Sequence, residues 1–292
     1  MAAKTVFLTG ASSGIGKATA ALFQQKGWNV VATMRTPSAG ADLAALENVL
    51  VTALDVTNEA SIVAAVKAAE EKFGAIDVLV NNAGFGVYGL LEATSVESIR
   101  NQFETNVVGL LATTKAVLPG MRKHKAGVVV NVGSLAGKMA YPLGTFYNGT
   151  KFAVEGISEA LRFELREINV RVKLIEPGII YTNFSTSTEF NNDTSLVEYQ
   201  GLVGKFGAAM GEAWKQGTEV RVVAETIFEA ATDGSDRFRY LVGEDAKGYA
   251  AQLESLDGES YFSNMIEAFG LKLWQRKTPD AMPGVFYGGW GD

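Results

Sequence analysis

The stretch Val6-Phe7-Leu8-Thr9-Gly10-Ala11-Ser12-Ser13-Gly14-Ile15-Gly16 decides the fold. A short apolar run passes straight into a glycine-rich turn, and an alanine-rich helical stretch follows as far as Gly27. The order is strand, tight turn, helix. Gly10 permits the sharp turn, Gly14 lets backbone approach a ligand closely, and Gly16 lets the helix pack on the sheet. Unpaired N–H groups and the positive end of the helix dipole then face whatever anion sits at the turn, which marks a nucleotide site. The hydroxyls of Ser12 and Ser13 are open to two uses, capping the helix or bonding a phosphate.

Outward from this unit, strands and helices keep alternating. Strands are expected over 29–34, 49–53, 76–80, 127–132, 170–175 and 237–242, with helices between them, among them 59–73, 95–122 and 145–168. Alternation of this kind implies right-handed crossovers and a parallel sheet with helices on both faces. The fold class is therefore α/β, a Rossmann-like doubly wound sheet of about seven strands, in a single domain spanning 1–292. Ligands in such sheets lie beyond the carboxyl ends of the strands. The residues at those ends are Asp55, Asn81-Asn82-Ala83-Gly84, Ser134 and Pro177-Gly178, each polar, small or conformationally special.

The helix expected over 145–168 carries Tyr147 and Lys151 four residues apart, hence on one face. A phenol is a poor acid at neutral pH, with an ordinary pKa of about 10. An ammonium about 5 Å away, at an effective dielectric constant of about 20, would favour the phenolate by roughly 3 kcal/mol, or about two pKa units. The pair is thus expected to act in proton transfer, with Lys151 acidifying Tyr147. His124, the only histidine, lies among Arg122, Lys123 and Lys125 and reads as a solvated helix end.

Composition narrows the class further. The 292 residues include no cysteine, which excludes disulfides, thiolate catalysis and cysteine-based metal sites; no metal site is expected. A net charge of -6 argues against electrostatic binding to nucleic acid or to an anionic membrane surface. No apolar run reaches the length of a membrane span, and with the early strand passing directly into the glycine turn a signal peptide is not expected. A cytoplasmic location is the expectation.

Together these residues resemble the short-chain dehydrogenase/reductase family, in its shorter single-domain branch. The resemblance is carried by Thr9 to Gly16, Asp55, Asn81 to Gly84, Asn106 in Asn-Val-Val-Gly, Ser134, Tyr147 to Lys151, and Pro177-Gly178 with Thr182. It covers roughly residues 4–182 and extends through the last strand to about 243. It implies that Tyr147 is the general acid or base, that Lys151 lowers its pKa and bonds the nicotinamide ribose, and that Ser134 donates to the substrate carbonyl oxygen. Asn106 would help hold a water linking Lys151 to solvent. Gly10, Ser12, Ser13, Gly14 and Ile15 would cradle the cofactor phosphates, Asp55 would reach the adenine, and Asn82, Ala83 and Gly84 would line the adenosine ribose. Pro177, Gly178, Ile180 and Thr182 would support the nicotinamide carboxamide. Plainer readings stand beside some of these: Asp55 as the N-cap of the next helix, Ser134 as a turn cap, Asn106 as a packing residue in mid-helix.

The end of the second strand bears on cofactor choice, because an acidic residue there bonds the 2'-hydroxyl of NAD and repels the 2'-phosphate of NADP. Here the stretch runs Met34-Arg35-Thr36-Pro37-Ser38 with no acid before Asp42, so Arg35 is expected to pair with a phosphate and to favour NADP(H). A substrate lid is expected over 183–216, where Leu196, Tyr199, Leu202, Phe206, Met210 and Trp214 recur at roughly helical spacing. Phe85, Val87, Tyr88 and Met139 to Tyr141 are placed to flank the ligand. The resulting pocket is apolar and suits a neutral, hydrophobic ketone, aldehyde or secondary alcohol. An extension over 244–292, with helices near 246–256 and 261–273, is open to covering the pocket, mediating homo-oligomer formation or packing on the domain. Two other functions fit parts of this pattern: a non-catalytic NADP sensor or scaffold, and a nucleotide-sugar epimerase or dehydratase, which also uses a Tyr and Lys pair.

Overall fold

Alternate residues of each central strand feed opposite faces of the sheet: Val6 and Leu8 join one buried cluster, and Phe7 between them joins another. A computed structural model describes residues 3–182 and 188–271. Its first half runs β1 (Thr5–Thr9), α1 (Gly14–Gln25), β2 (Asn29–Met34), α2 (Ala41–Ala44), β3 (Val49–Ala53), α3 (Glu59–Phe73), β4 (Val78–Asn81), β5 (Gly86–Gly89), α4 (Val96–Phe103), α5 (Gly109–His124) and β6 (Gly127–Val132). There follow α6 (Thr145–Arg166), β7 (Val170–Pro177), β8 (Ile180–Tyr181), β9 (Thr188–Asn191), α7 (Gln200–Trp214), β10 (Thr218–Glu219), α8 (Val220–Thr232), β11 (Arg239–Val242), α9 (Glu244–Ser255) and α10 (Gly258–Ala268).

Seven strands form one parallel sheet in the order β11-β7-β6-β4-β1-β2-β3. The chain runs outward from β1 to β3 and then crosses back to β4 on the other side of β1. The strand order therefore reverses between β1 and β4, and a crevice opens there at the carboxyl ends of the strands. One face is covered by α1 and α8, through Ala20, Phe23, Val223 and Ile227. The other is covered by α3, α5 and α6, through Ile62, Val66, Val117, Met121, Val154 and Leu165. Phe23, Trp28 and Phe228 meet edge to face, with centroids 5.1 Å apart for Phe23–Trp28 and 5.0 Å for Phe23–Phe228. Each such contact contributes about 0.5–1.5 kcal/mol beyond burial and fixes the seat of α1, whose N-terminus reaches the crevice.

Two local departures from the sequence reading matter for the site. The helix expected over 95–122 is two helices, α4 and α5, joined by a π-helical turn at Glu104–Val108. Asn106 sits within that turn and is buried. Two short parallel pairs, β5 with β9 and β8 with β10, also stand outside the main sheet. Of the expected lid, 188–216 forms β9, a 3-10 turn and α7, and residues 183–187 lie outside the described residues. The extension forms α9 and α10, and its portion from 272 onward likewise lies outside them. No helix among the described residues is long and apolar enough to cross a membrane.

Candidate active site

Gly10 takes a positive φ of 72°, and a Cβ there would come within 2.9 Å of the Ala83 Cα, so the turn after β1 presses on the turn after β4. Asn82 fastens the two turns together, its side-chain amide donating to the carbonyls of Thr9 and Gly10, both at 3.0 Å. Thr9 answers with its hydroxyl oxygen, which accepts from the backbone N–H groups of Asn82 and Ala83, also at 3.0 Å. Gly16 closes the arrangement, because a side chain there would run into the Gly10 carbonyl. Ser13 occupies the N-cap position of α1 but makes no side-chain capping bond, so of its two readings capping is not the one adopted. The first-turn N–H groups of α1 face the crevice without a side-chain cap.

The crevice is a cleft of about 950 Å³. Where the cleft meets the glycine turn it is lined by Gly10, Ser12, Ser13, Gly14 and Ile15, and also by Arg35, Asp55, Asn82, Ala83 and Gly84. Asn106, Ser134, Tyr147 and Lys151 line its middle, with Pro177, Gly178, Ile180 and Thr182 opposite. Residues drawn from well-separated parts of the chain thus share one cavity. Arg35 is exposed at its rim, at the end of β2. The Asp55 carboxylate accepts from the Thr57 N–H at 2.9 Å and the Thr57 hydroxyl at 2.7 Å. Those bonds, with the Arg35 charge, hold it below the usual carboxylate range against the effect of burial. Asp55 is not the N-cap of α3; Asn58 is, accepting from the Ser61 N–H at 3.0 Å.

At the centre, the Ser134 hydroxyl accepts from the Ala136 N–H at 3.1 Å and donates to the Pro177 carbonyl at 3.4 Å. Lys151 donates to the Val132 carbonyl at 2.9 Å, with its Nζ 5.6 Å from the centre of the Tyr147 ring. Asn106 is held on every side: its Oδ1 accepts from the Phe85 N–H at 3.0 Å, and its Nδ2 donates to the Phe85 carbonyl at 2.9 Å and to Thr150 Oγ1 at 3.2 Å. Thr150 in turn donates to the Tyr147 carbonyl at 2.8 Å. The expected acidification of Tyr147 by Lys151 is not the resting state. Burial pushes the phenol up to about 12, with a hydrogen bond from Ser134 pulling the other way. Burial likewise brings Lys151 down to about 8, while the Glu155 carboxylate opposes that shift.

The wall beyond Tyr147 is aromatic. Phe85, Tyr88, Tyr141, Met210 and Trp214 line it, whereas Val87 and Met139, expected there, are buried in the protein interior instead. Tyr88 lies 5.2 Å from Tyr147 between ring centres, and Phe206 stacks behind Tyr141 at 6.5 Å. Leu196, Leu202 and Met210 pack around Phe206, and Tyr199 stands half exposed away from the cleft. The sequence reading missed Leu54, Val56, Asn101, Thr105 and Ile179, which also line the cleft. Leu54 and Val56 flank Asp55, and Ile179 lies between Gly178 and Ile180, so adjacency to those residues was the available signal. Thr105, in the π turn, adjoins Asn106 in the same way, whereas Asn101, near the end of α4, is next to no residue singled out for the cleft.

This geometry fits a nicotinamide dinucleotide. The cleft is long, the α1 N-terminus is uncapped on the cleft side, and Gly14, at a φ of 53°, presents bare backbone there.

Comparison with known proteins agrees with this architecture. Residues 4–193 match the family model described as short chain dehydrogenase. An oxidoreductase of Schizosaccharomyces pombe, itself uncharacterized, is 43% identical over 238 residues, 82% of this chain and 100% of the relative. A 3-ketodihydrosphingosine reductase of Bacteroides thetaiotaomicron is 39% identical over 198 residues, 68% of this chain and 72% of the relative. A short-chain dehydrogenase/reductase of Burkholderia phymatum, crystallised with NAD, superimposes with a TM-score of 0.76 at 27% identity, covering 90% of this chain and 95% of that one.

Proposed function

Because the chain belongs to the short-chain dehydrogenase family and is an NAD(P)-dependent oxidoreductase, we propose that it reduces a neutral, hydrophobic ketone or aldehyde with NADPH, reversibly, using Tyr147 as the proton donor. The observation that carries the reading is the convergence of Tyr147, Ser134 and Lys151 on one cleft between the glycine turn and an aromatic wall. Reduced nicotinamide, when bound, supplies the hydride. Gly14, Ile15 and the first turn of α1 bind its phosphates, and Pro177 to Thr182 orient its carboxamide. The Ser134 hydroxyl donates to the substrate oxygen and stabilises the charge that develops there. Tyr147, whose phenol burial pushes up so that it keeps its proton, carries the proton that this oxygen receives. The Lys151 ammonium offsets the phenolate left behind, and Asn106 with Thr150 keeps the Tyr147 turn of α6 in place.

The aromatic wall supports an apolar substrate, and the Bacteroides relative, named as the reductase of a keto compound, is consistent with carbonyl reduction. Arg35, exposed at the rim with no acid beside it on β2, supports a preference for NADP(H). The test is a panel of carbonyl compounds with NADPH, followed by the loss of reduced-nicotinamide absorbance. Tyr147→Phe should retain cofactor binding and lose turnover by at least about a hundredfold, the range of general acid catalysis. A Tyr147→Phe chain that binds and turns over at the unmodified rate overturns the proton-transfer assignment.

A further inference from the structure

The loop after β7 is one wall of the cofactor cleft, and its backbone is fastened from outside. Gly178 donates to the Val242 carbonyl at 2.9 Å, and the Ile179 carbonyl accepts from the Thr218 N–H at 2.8 Å. The remaining donor of this stretch, the Ile179 N–H, does not reach the sheet. It is taken by the Asp245 carboxylate, Oδ2, at 2.7 Å. Asp245 belongs to the first turn of α9, in the extension beyond the last strand, where a carboxylate is also favoured by the helix dipole. Gly178 makes the approach possible, since a Cβ on it would land on that carboxylate.

The same extension also packs against segments that lie behind the cleft. Ala246 of α9 and Met265 of α10 pack on Leu135 and Met139, just after Ser134. Phe269, just past α10, stacks on Phe206 of α7 with centroids 6.2 Å apart, and Lys205 of α7 donates to the Gly270 carbonyl. The carboxylate itself does not line the cleft, so its effect passes through the Gly178–Ile179 peptide.

We propose that Asp245 is a positioning residue, which holds the Gly178–Ile179 peptide and with it the 177–182 wall in the shape that receives the nicotinamide cofactor. The C-terminal helices are then part of the cofactor site. This rests on the nicotinamide reading given above.

The experiment compares Asp245→Ala and Asp245→Asn in the full chain, with Glu244→Gln as a control for its exposed neighbour. NADPH dissociation constants are read by nucleotide fluorescence, together with the melting temperature of the free protein and the KM and kcat of turnover. Asp245→Ala should weaken NADPH about tenfold, the lower range for losing a hydrogen bond to a charged group. KM for NADPH should rise to match, while kcat at saturating cofactor stays within about threefold. Asp245→Asn keeps a carbonyl acceptor for Ile179 and should bind within about threefold of the unmodified chain. Should Asp245→Ala not fold, Asp245→Ser, too short to reach Ile179, is read in its place. Unchanged NADPH affinity in Asp245→Ala overturns the proposal. So does equal weakening in the alanine and asparagine variants in step with lost thermal stability. If the unmodified chain binds neither NADPH nor NADH, the functional reading itself fails; normal binding with an indifferent Asp245→Ala defeats only the positioning role.

Discussion

Replacing Asn106 by alanine probes whether the π turn between α4 and α5 is held by its own side chain. Asn106 is 4% exposed and makes three hydrogen bonds, two with Phe85 and one with Thr150. In Asn106→Ala the Phe85 carbonyl keeps one donor, the Gln102 side chain at 3.3 Å. The Phe85 N–H, which is partly buried, loses its acceptor, and leaving it unsatisfied costs about 1–3 kcal/mol. With the bond to Thr150 also gone, the sum is roughly 2–4 kcal/mol. For a chain of this size each kcal/mol lowers Tm by about 2–4 °C, so the melt should fall by roughly 4–16 °C in scanning calorimetry. Turnover should fall too, because Thr150 loses the partner that sets it beneath the Tyr147 carbonyl. A Tm within about 1 °C of the unmodified chain would show that the π turn is imposed by the packing of α4 and α5, and the assignment to Asn106 would be withdrawn.

Arg35→Asp should invert the cofactor preference, raising the KM for NADPH and lowering that for NADH; an unmodified chain that uses both equally well would refute the role given to Arg35. Glu176 supplies a pH signature. Its side chain is fully buried, with Arg239 at 3.0 Å and Lys138 at 3.9 Å, yet burial first and the neighbouring Glu155 second raise its pKa from about 4.5 to about 7. The folded protein therefore holds a proton that the unfolded chain releases, and the associated stability is complete below about 4.5 and lost as pH rises through about 7. Urea midpoints should decline between pH 5 and pH 8, and Glu176→Gln should flatten that decline; parallel curves for the two proteins would count against the shift.

The strands were legible because their sequence meets its structural demand locally. β2 and β6 are nearly continuous valine-rich runs, as strands buried on both faces require, and each lies within a residue of its expected limits. The members of the cleft were legible for a related reason: the carboxyl ends of parallel strands converge, so finding the strands locates the rim. What was not legible depends on partners distant in sequence. The five residues Glu104–Val108 include weak helix formers but nothing that specifies a π turn, and the turn there coincides with bonds from Asn106 to Phe85, 21 residues earlier, and to Thr150, 44 residues later. Asp245 looks like any acid at a helix start, and only the fold shows its acceptor role toward Ile179, 66 residues away.

The Tyr147 and Lys151 pair shows how a correct spacing can carry an incorrect energy. Four residues on a helix do put the two side chains on one face, with the ammonium 5.6 Å from the centre of the phenol ring. At an effective dielectric constant of about 20 a nearby ammonium is worth about 3 kcal/mol to a phenolate that is still hydrated. In the cleft the phenolate also loses its hydration, which pushes the phenol up, and the ammonium is turned toward the Val132 carbonyl. A neutral phenol at rest is nevertheless what the proposed reduction requires, since a donor must hold its proton until the substrate oxygen gathers charge. The attraction to Lys151 then counts only as the phenolate forms, where it stabilises the transition state without weakening the resting acid.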